Sequence, residues 1–127
     1  MTLSHKVREL DLECIAFKAA YDEGWSLETV DRAEFYYRCF WQAILDHSHC
    51  RLAPTKEIDR FWHHHILDTQ KYMEDCNFVF GYYLHHFPYS GMRSGTDEHE
   101  QQRRVAISLK FIEDIAKGER SHHAASY

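Results

Sequence analysis

The chain has 127 residues, of which 44% are hydrophobic and 15% aromatic, with a formal net charge of −5. That length suits one compact domain with a single core of large side chains. The charges are mixed along the chain with no dense basic stripe to neutralise phosphates, so nucleic acid is not an expected partner, and no stretch reaches the roughly 18 apolar residues of a membrane span.

Residues 4 to 22 place Val7, Leu10, Cys14, Phe17 and Tyr21 on one helix face, with Ser4 as the cap and Gly24 past the end. Ser26 caps a second helix that runs to about His47, with a stripe of Val30, Ala33, Tyr37, Phe40 or Trp41, and Ile44. Pro54 in "SHCRLAP" forbids a simple continuation, and Thr55 caps a third helix. There Ile58, Trp62, His65, Thr69, Tyr72, Cys76, Val79, Tyr83 and His86 recur in steps of four and three, until Pro88 and Gly91 end the run. "SGMRSGTDE" reads as a loop. Thr96 or Asp97 caps a last helix to about Lys117, with Val105, Leu109, Ile112 and Ala116 on one side. Without any alternating strand pattern, the expected fold is all-α: a compact bundle of four to five helices over residues 1–118, followed by a loose tail at 119–127.

Cys14, Cys39, Cys50 and Cys76 form no C-x-x-C pair and no regular disulfide spacing. The opening "MTLSHKVREL" is charged and lacks an apolar run. Free thiols in a reducing, cytoplasmic setting are therefore expected.

The chemistry concentrates in "DRFWHHHILDTQKY", from Asp59, and in "GYYLHHFPYSG", which holds His85 and His86. Asp59 and His63 are four apart and share a helix face. The carboxylate can orient the imidazole for a metal or substrate, or the two can form a plain surface ion pair. Two residues turn a helix by about 200°, so His63 and His65 point apart and cannot chelate one ion from a regular helix. His64 is then expected to be a solvated bystander. His65 and His86 fall on the apolar stripe with Tyr72, Cys76 and Tyr83, which puts several polar groups in a core where each needs a partner. His63 and His85 would lie about 33 Å apart on one straight helix. A shared site requires a break, at Asp68 to Thr69 or within Glu74 to Asn77, or a second antiparallel copy in a homodimer.

The segment from Ala53 to Gly91 resembles the glycine-rich domain-containing protein-like family. The residues that carry the likeness are Asp59, Trp62, His63, His65, Ile66, Leu67, Asp68, Thr69, Tyr72, Cys76, Gly81, His85, His86 and Pro88. The resemblance implies a small helical domain and leaves position 64 open. The chain has only five glycines and none of the long glycine-rich tail of the plant members.

Two functions of different class fit these residues. The first is a metal-dependent enzyme acting on a small molecule or peptide. Its ligand pool is His63, His65, His85 and His86 with Asp59, and Asp68, Tyr72, Cys76 and Tyr83 form the catalytic set. Iron or copper would support oxidative chemistry, and zinc would support hydrolysis through an activated water. The second is a metal-free helical interaction module. Haem held by one axial histidine beside the aromatics is a further alternative.

Overall fold

The computed structural model of the chain describes residues 2–87, 91–92 and 95–125, with side chains as far as Ser121. The described residues form six helices and no strand: α1 (His5–Glu9), α2 (Glu13–Glu23), α3 (Leu27–Asp46), α4 (Lys56–Leu67), α5 (Thr69–Val79) and α6 (Gly95–Ala125). The all-α expectation holds, with more helices than the four or five counted from the sequence. No described helix is long and apolar enough to cross a membrane. All four cysteines are free thiols.

α3 is the central helix, packing against α1, α2, α4 and α6. It starts as its sequence requires, with the Ser26 hydroxyl accepting from the Thr29 amide. Val30, Ala33, Tyr37, Phe40 and Trp41 are buried as expected, and Cys39, Gln42 and Ala43 widen the buried face. Trp41, Tyr37, Phe40, Phe61 and Tyr72 are among the largest fully buried side chains. At roughly 1.5–3 kcal/mol for each large apolar side chain, they dominate the core. Burial pushes the Cys39 thiol up to about 12, so it packs as a small apolar group.

The first expected helix divides in two. The Arg38 guanidinium donates to the carbonyl oxygens of Val7 and Arg8, and the Ser4 amide donates to the Gln42 side chain. The two carbonyls captured by Arg38 are acceptors that a continuous helix would use itself. Ser4 precedes α1 but makes no side-chain cap. The break at Leu10 to Leu12 also shifts the register. Val7 and Leu10 stay inside, but α2 then buries Ile15 and Ala19, while Phe17 is 76% and Tyr21 81% exposed and Cys14 faces out.

The long third helix breaks too, at the first of the two places expected. Asp68 ends α4, with its amide bonded to the His65 carbonyl, and its own carbonyl receives the first amide of the next helix from Tyr72. α5 ends in a left-handed glycine: Gly81, at φ 79°, donates its amide to the carbonyls of Cys76 and Asn77. Residues 82–87 then return as an irregular strip rather than as helix. Tyr83 is consequently exposed and His86 only partly buried, against the stripe's expectation, and Thr69, at the start of α5, is exposed as well. Pro88, expected to stop the run, lies outside the described residues, as do Ser126 and Tyr127.

α6 continues past the expected end near Lys117 to Ala125. Glu119 explains part of that extension, since its carboxylate accepts from the Leu3 amide and the Arg8 guanidinium and ties the helix to the start of the chain. α6 buries Ser108, Ile112, Ile115 and Ala116, while Leu109 is exposed and Val105 half-buried.

Candidate functional site

The helix break decides where the histidines go. Residues ten apart on a straight helix are separated by about 15 Å. Here His65 Nε2 lies 2.8 Å from Asp75 Oδ2, and the Trp62 indole donates to the Tyr72 hydroxyl at 2.9 Å. Both bonds exist because α5 folds back on α4.

His65 is completely buried and fully partnered. An ionised carboxylate can only accept, so Asp75 fixes the proton on Nε2. Nδ1 then accepts from the Tyr37 hydroxyl at 2.7 Å. Lys71 Nζ stands 3.0 Å from the same Asp75 oxygen, and Trp41 stacks on the imidazole at 5.3 Å between centroids. Burial lowers the His65 pKa, outweighing the Asp75 bond that raises it. For Asp75, burial pushes upward but the hydrogen bonds from His65 and Lys71 prevail and hold the carboxyl below its usual range. With both ring nitrogens committed, His65 has no lone pair for a metal. The ligand pool expected from the sequence places His65 on a metal, whereas here both its nitrogens are hydrogen-bonded in the core.

His64, expected in solvent, is only 4% exposed. Its Nε2 lies 2.8 Å from Glu23 Oε2, which the Arg60 guanidinium also reaches, and its Nδ1 lies 3.8 Å from Asp22. The cause is α2, which packs across α4 and covers the face where His64 lies. His63 is the exposed member of the three and has no bond to Asp59.

Asp59 is taken by His86 instead. His86 Nε2 sits 2.5 Å from Asp59 Oδ1, and its ring leans on Trp62 at 4.4 Å. The returning strip makes this meeting, because the Tyr72 hydroxyl donates to the Leu84 carbonyl and pins residues 82–87 against α4 and α5. Asp59 fixes the proton on Nε2. Nδ1 makes no hydrogen bond among the described residues, so its lone pair is left for a ligand.

The pair lies in a cleft of about 430 Å³ between the 48–54 loop, the start of α4, the 82–87 strip and the start of α6. Leu52, Trp62 and Leu84 supply apolar wall, and Arg51, Lys56 and Arg104 supply positive charge. The loop is held to α6 by Ser108, whose hydroxyl accepts from the Ala53 amide and donates to the Arg104 carbonyl. Cys50 and His85 line the same cleft, and His85 is exposed against Tyr83.

Of the expected ligands, Asp59, His85 and His86 therefore share the cleft, while His63 and His65 lie elsewhere. Among the described residues, no group of three or more His, Cys, Asp and Glu side chains is arranged to hold a metal ion. Of the expected catalytic residues, Tyr72, Cys76 and Tyr83 meet at the end of α5 and Asp68 lies apart from them. Tyr72 and Cys76 are buried structural groups, Asp68 is exposed at the helix break, and Tyr83 packs edge-on against Tyr72. Burial raises the thiol of Cys76 and the phenol of Tyr72, which makes both poor proton donors. The residues missed by the sequence reading are Tyr37, Asp75 and Glu23, which partner His65 and His64, and the three cations of the cleft. Glu23 and His64 are 41 residues apart, and no periodicity links positions on different helices.

A family model described as UCP032817-like matches residues 17–121. The chain belongs to the UCP032817-like family. The match covers most of the chain, including all of α3, α4 and α5. It overturns the resemblance to the glycine-rich domain-containing family. Much of the W-H-x-H and H-H pattern that suggested it follows from packing in this UCP032817-like chain: Trp62 holds Tyr72, His65 holds Asp75, and His86 holds Asp59. No curated protein and no solved structure matches the chain.

Proposed function

We propose that the chain binds a small molecule in the cleft and transfers a proton on it, with His86 as the base and Asp59 as the group that orients the imidazole. The observation that carries this reading is the Asp59–His86 pair itself. It has one ring nitrogen fixed at 2.5 Å and the other unengaged, in a cleft of about 430 Å³. Histidine changes charge near neutral pH, and a partnered carboxylate fixes its tautomer. A positioned base of this kind typically contributes 10²–10⁴-fold to a rate. The experiment is a thermal-shift screen of small metabolites on the full chain, with each hit mapped by amide NMR and repeated on His86→Ala. Hits that perturb Arg51 to Asp59 and Tyr82 to Phe87, and are lost in the variant, support the reading. Hits that map elsewhere and survive the substitution defeat it.

A second reading keeps a transition metal, because Asp59, His85, His86 and Cys50 line the same cleft. Imidazole and carboxylate suit iron or zinc, which would bring oxidative or hydrolytic chemistry to the same small molecule. Elemental analysis and zinc titration of protein purified without a histidine tag decide it. Stoichiometric metal lost in both His85→Ala and His86→Ala favours this reading. Metal-free protein that takes up no zinc ends it.

A further inference from the structure

We infer that the cleft selects an anion, a carboxylate or phosphate group carried on a small apolar body. This rests on the reading of the cleft as a binding site and names the class of its ligand. The chain is acidic, with a net charge of −5. The cleft runs against that balance. Arg51, Lys56 and Arg104 line it, and Asp59 is the one acid among its described lining residues.

The pairing of these charges sharpens the contrast. Elsewhere arginines sit on carboxylates: Arg8 on Glu119, Arg32 on Glu57, Arg38 on Glu34 and Arg60 on Glu23. Among the described residues, none of Arg51, Lys56 and Arg104 has an acidic partner within 4.0 Å. The one local carboxylate, on Asp59, is occupied by His86. Three cations thus surround a concavity whose one carboxylate among the described residues, that of Asp59, hydrogen-bonds His86 rather than any of them, which leaves the positive charge in excess. Arginine and lysine donate to carboxylate and phosphate oxygens through charge-assisted bonds, and the planar guanidinium can do so through two at once.

The rest of the lining limits the ligand's body. Leu52, Trp62 and Leu84 offer apolar and aromatic surface, and about 430 Å³ admits a molecule of the size of a substituted benzene ring rather than a polymer. An anionic head on the cations would leave an apolar body against Trp62, beside the ring of His86.

The test uses the full chain and three probes of similar shape: benzoate, phenyl phosphate and neutral benzamide. Titrations are followed by amide NMR and calorimetry at two salt concentrations. The expected result is that at least one anion binds and shifts the amides of Arg51 to Lys56 and Leu84 to Phe87. Its affinity falls as salt rises, and benzamide binds at least about tenfold more weakly. Preference between benzoate and phenyl phosphate assigns the head group. A Lys56→Gln/Arg104→Gln double variant, whose fold is checked by its amide spectrum, should lose roughly tenfold or more in affinity for the preferred anion. Equal binding of benzamide, salt-independent binding, or an unaffected double variant would overturn the inference, as would binding of no anion at all. His86→Ala separates the two readings: anion binding that survives it leaves the ligand class standing even where the proton-transfer role fails.

Discussion

The Tyr72 hydroxyl donates to the Leu84 carbonyl at 2.5 Å while accepting from the Trp62 indole at 2.9 Å. One buried phenol thereby joins α4, α5 and the returning strip, and it sets the place at which His86 meets Asp59. Tyr72→Phe removes both bonds and leaves the indole N–H of Trp62 without its partner. The expected loss of stability is about 1–3 kcal/mol in urea denaturation. The ring signals of His86 should broaden or split as the strip loosens. An unchanged His86 spectrum at wild-type stability would show that the strip is held by something other than Tyr72.

The Asp59–His86 pair gives a direct spectroscopic expectation. With Asp59 ionised, His86 carries its proton on Nε2, and ring nitrogen shifts at pH 8 should report that tautomer. Asp59→Asn offers both a donor and an acceptor and should shift the tautomer population toward a mixture. A ring protonated on Nδ1 in the native chain would remove the base assigned to the cleft.

The periodicity of the chain reveals its helices and much of its core, because a buried stripe is a local property of one helix. Val30, Ala33, Tyr37, Phe40 and Trp41 behave as their spacing requires, and so do Ile58, Trp62, His65, Tyr72, Cys76 and Val79. The stripe misleads at a break. Once Arg38 captures the carbonyls of Val7 and Arg8, the register restarts, and Phe17 and Tyr21 turn outward. The site was less legible than the fold. The spacing of Asp59 and His63 suggests a pair, yet Asp59 is taken by His86 from a strip that periodicity reads as helix. Which face of α4 is wet depends on α2, and nothing in "HHH" says that Glu23 and Asp22 wait over its middle residue.

That burial reverses the expectation for the three consecutive histidines. His64→Ala strips Glu23 of one partner and opens a gap between α2 and α4, at a cost of about 1–3 kcal/mol. Because Arg60 still reaches Glu23, the lower half of that range is the better estimate. His63→Ala, on the exposed face, should stay within about 0.5 kcal/mol. Denaturation midpoints of the two variants test the assignment, and equal effects would contradict it.

Tyr37 and His65 form the corresponding pair in the core. Tyr37→Phe leaves His65 Nδ1 without a donor at a fully buried position, and the expected cost is again about 1–3 kcal/mol. Tyr83→Phe alters an exposed ring and should change stability by no more than about 0.5 kcal/mol. A Tyr37→Phe variant as stable as wild type would mean that another donor, or water, reaches the imidazole.

The same network sets the response to acid. Burial lowers the His65 pKa in the folded chain, ahead of the Asp75 bond that raises it, whereas an unfolded imidazole titrates near 6.5. Below about pH 6.5 the unfolded state therefore takes up a proton that the folded state resists. Stability from this group is full above that pH and falls as pH drops toward the folded value, by up to about 1.4 kcal/mol per pH unit for one proton. Asp75 acts in a lower window. Its hydrogen bonds to His65 and Lys71 hold its carboxyl below the usual range despite burial, so its contribution is present above about pH 4 and is lost only below it. Urea titrations at steps from pH 8 to pH 3 should show the two falls separately. His65→Gln keeps a side-chain amide to face Asp75 but cannot titrate, so it should flatten the curve between about pH 6.5 and the onset of the acid limb near pH 4, while retaining that limb. If the slope in that interval is the same in wild type and His65→Gln, the protons are going to another histidine and the role given to His65 fails.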